Sequence, residues 1–357
     1  MSDELTLEVS GREISGWDQV RVTRSTEHLP SDFSLSLMDY YPGSGEKQLV
    51  TPGEACVVRL GNDPVVTGYI DRWSSAIGPS RHEVHASGRG KCQDLVDCSA
   101  IWPNNVIENA TPLQIAQKLA APYGIRVGTD VTDLQNVPQF SLNWGESSQE
   151  VIDRMMRWAA LLYYDLPDGS LFLTRVSTRK AASGVAVGQN IQAAWYDSSC
   201  DGRYSDYTGI SMPTTAVTEI SPGDGYASVT LATAADPEMA AMRYRNLVTL
   251  IESTLNTYGA AQQYINWEMN RRFGRSRVLH VTVDSWRDTD GKLWEPNTLI
   301  PVTAPQLNLD NDAWLLGEIT FQKDERGTTA EMVLMPPQAF MVEPYQFYSN
   351  IMELNYK

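Results

Sequence analysis

Four histidines, His28, His82, His85 and His280, are the only imidazoles in a chain of 357 residues. Their spacing decides whether they could hold a metal. His82 and His85 fall in one alternating segment at odd spacing, so the period-two geometry of a strand sends them to opposite faces. Asp288-Thr289-Asp290-Gly291 has the opening of a calcium loop, but the oxygen ligands such a loop needs downstream are out of register, and a β-turn is the reading. Ser87-Gly88-Arg89-Gly90-Lys91 lacks the spacing and the hydroxyl of a phosphate-binding loop. No GxSxG elbow is present, and no GxGxxG opens a helix. Among the 44 acidic residues, Asp71, Glu83, Asp165 and Asp168 could in principle pair as a glycosidase acid and base, but nothing raises one pair above the rest. Cys56, Cys92, Cys98 and Cys200 form no CxxC pair and read as reduced thiols in a cytoplasmic product. The sequence therefore assigns no catalytic residue, no cofactor-binding residue and no metal ligand.

Bulk properties narrow the remaining classes. The composition is 42% hydrophobic and 20% charged, ordinary for a globular chain long enough to build two or more cores. No window approaches the ~18 consecutive apolar residues of a membrane span, so no stable membrane insertion is expected. The opening MSDELTLEVSGREI is polar and strand-like, and no signal peptide is expected. A formal net charge of -16 argues against a DNA-binding surface, which needs a basic face to displace counterions. An acidic surface can still serve beside DNA by repelling it. Ten tryptophans, among them Trp73, Trp102, Trp144, Trp158, Trp195, Trp286, Trp294 and Trp314, sit at element edges, as core fillers or as anchors of protein–protein contact.

The elements that must position these residues are mostly strands. Leu5–Val9, Gln19–Arg24 and Phe33–Leu37 alternate with period two, and with 52–89 they give about six strands and no helix, enough for a small barrel or sandwich. From Lys91 the pattern changes. Thr111-Pro112 opens a helix that ends at Gly124, and Ser147-Ser148-Gln149-Glu150 is a capping box before a helical run to Leu162. A hairpin follows over 163–175. Ala194-Trp195-Tyr196 and Arg203–Tyr207 read as strands, 213–235 as an excursion or mobile loop, and Asp236-Pro237 as a helix cap. Thr257 to Phe273 is predicted as a helix closed by Gly274, and Val278 to Trp286 as a strand.

Two stretches share one order. Residues 52–89 and 296–337 each run proline, strand, turn, glycine-bearing strand, turn, strand. Val65-Val66-Thr67-Gly68-Tyr69-Ile70-Asp71 is set against Trp314-Leu315-Leu316-Gly317-Glu318-Ile319-Thr320. The reading is an internal duplication. The predicted fold class is α+β, mainly β, with two similar small β-barrels, a small α+β domain and a helical insertion. The expected bounds are 1–92 for the first barrel, 93–178 for the α+β domain, 179–212 with 275–342 for the second barrel, 213–274 for the insertion, and 343–357 for a tail.

A set of motifs in fixed order carries a family likeness. They are Gly16-Trp17-Asp18-Gln19-Val20-Arg21-Val22-Thr23-Arg24-Ser25, Asp32-Phe33-Ser34-Leu35, Pro52-Gly53, Thr67-Gly68-Tyr69-Ile70-Asp71, and Gly88-Arg89 leading to Asp94–Ala100. Further on come Ala121-Pro122-Tyr123-Gly124-Ile125, Asp284-Ser285-Trp286 and Asp290–Asn297. Over about Leu5 to Phe340 the chain resembles the baseplate hub proteins of Mu-like phages with contractile tails, and 213–235 matches least. The resemblance implies a homotrimer whose two barrels per chain build a ring of pseudo-sixfold symmetry, a structural adaptor between the sixfold tail tube protein and the threefold central spike protein. Other baseplate proteins are implied neighbours, with DNA passing through a central channel without specific binding. The implied location is the virion tail baseplate, with assembly in the host cytoplasm, and no enzymatic activity. The rival readings are a tail-associated cell-wall hydrolase and a carbohydrate-binding tail module.

Overall fold

A computed structural model describes residues 4–38, 50–78, 81–211, 229–251, 258–325 and 327–345. The first half is all strand: β1 (Leu5–Val9), β2 (Arg12–Ile14), β3 (Gln19–Ser25), β4 (Asp32–Met38), β5 (Ala55–Leu60), β6 (Asp63–Gly78) and β7 (Arg81–Gly90). The expected alternation holds, with Val20 and Val22 of β3 buried between exposed Gln19 and Arg21.

An α+β unit follows, comprising α1 (Gln93–Asp97), β8 (Val106–Ile107), α2 (Pro112–Ala120), β9 (Val127–Thr129), β10 (Phe140–Ser141), α3 (Ser148–Ala159), β11 (Leu162–Asp165) and β12 (Leu171–Thr174). Helices α2 and α3 begin where their capping residues dictate. The Thr111 and Ser147 hydroxyls accept from the third helical N–H, and Gln114 and Glu150 reach back to the capping N–H. Gly124, at φ 64°, closes the segment that begins with α2. This unit has its own core, in which Ile115, Leu119, Val151, Ile152 and Met155 meet Leu171 and Leu173.

The chain then returns to strand in β13 (Val185–Ala186) and β14 (Ile191–Ser198). It leaves the main sheet for β15 (Asp206–Ser211), β16 (Val229–Ala235), α4 (Pro237–Met242), β17 (Asn246–Leu250) and α5 (Tyr258–Arg275). It comes back as β18 (Arg277–Val283), β19 (Leu299–Ala304), β20 (Leu309–Asp324) and β21 (Gly327–Met335). The excursion packs α5 on a three-stranded sheet of order β16-β15-β17, around Tyr207, Ala261 and Ile265.

The two halves share one strand plan. The first runs β3-β4-β7-β6-β5 and the second β14-β18-β21-β20-β19, all antiparallel. β6 and β20 are each 16 residues long. Each gives its first part to β5 or β19 and its second part to β7 or β21. Both carry a bulge at the same two places, after Val58 and Val302 of the partner strands and between Ile70/Arg72 and Leu316/Glu318.

Five expectations are corrected. First, the barrels do not close. The strands form one 13-stranded sheet running from β14 to β2, with no pairing between its ends among the described residues. The halves are not separate either, because β3 pairs with β20, and one core joins Val22 and Phe33 to Phe321 and Leu334. Second, the bulges match Gly68 to Trp314 and Gly317 to Asp71, so the shared glycine is a coincidence of composition and the ladder sets the register. Third, α5 runs through Gly274, whose missing Cβ would lie 2.1 Å from the Ala339 nitrogen; that glycine serves close packing and does not stop the helix. Fourth, only the end of 203–207 is strand, since β15 starts at Asp206. Fifth, 229–235 is β16, while the rest of the expected loop lies outside the described residues.

Candidate assembly surface

Three of the candidate carboxylates, Asp71, Asp165 and Asp168, are engaged in holding structure. Arg89 donates to Asp71 (2.7 Å) and to Asp97 (2.7 Å), tying β6 and β7 to α1. These hydrogen bonds, that to Asp97 foremost, raise the Arg89 pKa. Asp168 accepts from the Ser170 N–H and hydroxyl and from Arg126. Burial acts to raise its pKa, but those donors outweigh it and the pKa falls. Glu83 lies on β7, away from this hairpin in sequence. The Asp288 carboxylate accepts from the Asp290 and Lys292 N–H groups, closing the turn expected there. His85 meets the Ser36 hydroxyl at 3.0 Å. Among the described residues no group of three His, Cys, Asp or Glu side chains is placed to hold a metal ion. All four cysteines are free, and burial pushes the Cys56 thiol up to about 12.

Asp165 is the exception in burial. It sits at the seam between the α+β unit and the main sheet, 3% exposed, and accepts from the Ser31 N–H (3.0 Å) and hydroxyl (2.8 Å). Burial raises its pKa, opposed by the Arg24 charge and the Ser31 donors. Arg24, on β3, is itself buried, and its Nε has no hydrogen-bond partner. Burial lowers its pKa against the pull of Asp165 and Glu295. Two clefts of about 610 and 780 Å³ share Arg24 and Arg179 in their linings, and Arg179 donates to Glu295 (2.9 Å) and Thr298 (3.0 Å). Thr67 donates to the Pro167 carbonyl and Asn297 to that of Arg175, completing a polar seam. An arrangement of this kind fixes the α+β unit against the sheet, since each buried polar group needs its partner.

The tryptophans divide into two uses. Trp286, Trp294 and Trp314 are core, the first two donating their indole N–H to backbone carbonyls. Trp73 packs against the main core, and Trp102 and Trp158 against that of the α+β unit. Trp144 (92% exposed) and Trp195 (62%) face solvent, the latter stacked on His280 at 5.0 Å. Ile77 at the end of β6 is 83% exposed, and on β17 Val248 and Leu250 point away from α5. Sequence reasoning raised the tryptophans as anchors but missed Ile77, whose signal was an isoleucine beside Gly78-Pro79 at the far end of a strand.

Three family models match in chain order. They are described as the N-terminal domain of Mu phage baseplate assembly protein GpP-like proteins (residues 4–90), the second domain of baseplate hub protein gp44-like proteins (92–175), and the fourth domain of Mu phage baseplate assembly protein GpP (257–343). The baseplate hub protein gp44 of Escherichia phage Mu is 28% identical over 347 residues, which is 96% of this chain and 90% of that protein. The 43 kDa tail protein of prophage MuSo2 from Shewanella oneidensis is 30% identical, with a TM-score of 0.83 over 95% of this chain and all (100%) of that one. A tail protein from Neisseria meningitidis MC58 has the same fold, with a TM-score of 0.78 at 19% identity over 97% of this chain and 100% of that one.

Proposed function

Because the chain belongs to the family of baseplate hub proteins of Mu-like phage tails, we propose that it is a trimeric symmetry adaptor in a contractile tail. Three copies would carry six near-equivalent sheet modules. These form a ring that meets the sixfold tail tube on one side and the threefold central spike on the other. Other baseplate proteins dock outside, and DNA passes through the middle. The carrying observation is the duplication itself, with the same strand order and the same bulges in both halves of one chain. A closed ring of identical subunits has the symmetry of its subunit count, so an internal repeat doubles the apparent order without a new gene.

The role is structural, in the virion tail, after assembly in the host cytoplasm. The net charge of -16 fits a channel wall that repels the duplex and lets it slide. Light scattering tests the trimer. The expected mass is three times 39.8 kDa, and images along the particle axis should show six lobes with threefold modulation. A monomer at concentrations well above those of the images overturns the reading. A zymogram on peptidoglycan should show no clearing; clearing would make the protein a cell-wall hydrolase.

A further inference from the structure

The two halves of the chain are joined by a pairing that uses one edge of each. β3 of the first module lies antiparallel to the second part of β20, with Ser25 opposite Glu318, Thr23 opposite Thr320 and Val20 opposite Lys323. The duplication supplies the counterpart of each strand. Matched at the bulges, Glu318 to Lys323 of β20 corresponds to Arg72 to Ile77 of β6. Matched through β4 and β18, Val20 and Val22 of β3 correspond to Ala194 and Tyr196 of β14. Within the chain these counterparts do not meet. β14 ends the order of the main sheet, and beyond Ile70 the strand β6 pairs with β7 alone among the described residues.

We infer that these two edges pair with each other between neighbouring copies, repeating across the subunit boundary the join already made inside each chain. The register follows from the template. Arg72 lies opposite Ser199, Ser74 opposite Asp197, Ala76 opposite Trp195, and Ile77 opposite Ala194 of the next copy.

Three independent features agree with this register. The first is parity. Trp73, Ala194 and Tyr196 pack against the main core, and the pairing puts Trp73 and Ile77 on the same face as Ala194 and Tyr196. A slip of one residue would turn every one of these side chains to the wrong face. The second is exposure. Ile77 and Trp195, at 83% and 62% exposed, are large apolar side chains on strands that have a single strand neighbour there among the described residues, a combination that otherwise invites aggregation. Both become covered, Ile77 by Ala194 and Trp195 by Ala76. The third is charge. On the outer face Arg72 comes one pair away from Asp197, within diagonal reach across an antiparallel ladder. The join is head-to-tail, so it generates a ring if the rotation closes. Closure at three copies rests on the hub reading, while the register does not.

Disulfide trapping tests the pairing. Residues directly opposite across antiparallel strands have Cβ atoms about 4.5–5.5 Å apart, near enough for a bond that takes about 3.5–4.5 Å. The exposed Cys200 is first removed as Cys200→Ser. In that background Ile77→Cys with Ala194→Cys should give covalent dimers and trimers on a non-reducing gel after mild oxidation. Mixing the two single variants should give dimers, and each single variant alone should give none. Ile77→Cys with Trp195→Cys, one residue out of register, should stay monomeric on the gel. Hydrogen exchange on the unaltered protein gives a second measurement, with the alternate amides of 72–77 and 194–198 that face away from β7 and β18 expected to gain protection on assembly. A particle of trimeric mass without the Ile77–Ala194 link and without that protection overturns the pairing and leaves the hub reading standing. Links formed by Ala194→Cys alone would mean that like edges meet, and also overturn it. A monomer overturns both.

Discussion

Asp165 shows how one side chain can tie stability to pH. Burial raises its pKa above the usual 3.8, while Arg24 and the two Ser31 donors pull against that rise. A carboxyl raised in the folded state holds its proton longer there than in the unfolded chain. Its contribution therefore weakens as pH climbs from the ordinary carboxylate range through the raised value, and is level above it. Ser31→Ala removes a donor that matters most to the ionised form. We expect a loss of about 1.5–3 kcal/mol near neutral pH, shrinking at acid pH as the pH falls through the raised folded-state value and the carboxyl takes up its proton. Urea titrations at the two pH values check this, and an equal deficit at both would reduce the hydroxyl to a packing role. The sequence offered Asp165 only as one carboxylate among many. Its partner Ser31 is 134 residues away, and no local pattern carries that distance.

At the scale of elements, the strands were legible because a half-buried sheet writes its alternation into the chain. Helix starts were legible because Thr111 and Ser147 satisfy otherwise orphaned N–H groups. Glycine was less informative, since the same residue stops helices and admits close neighbours. Gly274 did the second where the sequence implied the first. Gly88 also serves close packing: a Cβ there would lie 2.1 Å from the Tyr69 carbonyl oxygen and 2.6 Å from the Phe33 ring. Gly88→Ala should cost at least about 1–3 kcal/mol by overpacking, with β4, β7 and β6 loosened together. Gly128, whose nearest foreign atom would be 3.8 Å away, is the control, expected to stay within about 0.5 kcal/mol on change to Ala. Thermal unfolding of the two variants side by side reads the difference. The pairing of β3 with β20 was invisible in the sequence, because nothing local in Val20–Ser25 names a partner near residue 320.

For the whole molecule, the duplication was legible in outline and misaligned in detail, and the alignment matters most for assembly. If Ile77 is buried between copies, Ile77→Lys should leave the unassembled chain as stable as before, since the side chain is exposed there. Association should weaken by the worth of a buried aliphatic side chain, about 1.5–3 kcal/mol, or roughly tenfold to a hundredfold in the dissociation constant. Sedimentation over a concentration series measures it, and unchanged association would mean that Ile77 stays in water in the particle.

The two halves differ chiefly in their connections. Between β3 and β4 the chain spends residues 26–31, and between the matching β14 and β18 it spends 199–276. The α+β unit likewise lies in the connection between β7 of the first half and β14 of the second. Apart from the edge where antiparallel β1 lies beside β5 and parallel β13 beside β19, divergence between the repeats sits where a longer stretch of chain costs little, because closing a larger loop adds only about 0.6 kcal/mol per doubling of length. The ladder kept its length because one added residue there would reverse every face. If three copies close into the proposed ring, such a division would let the gene remodel the connections on alternate modules while the paired strands keep their spacing.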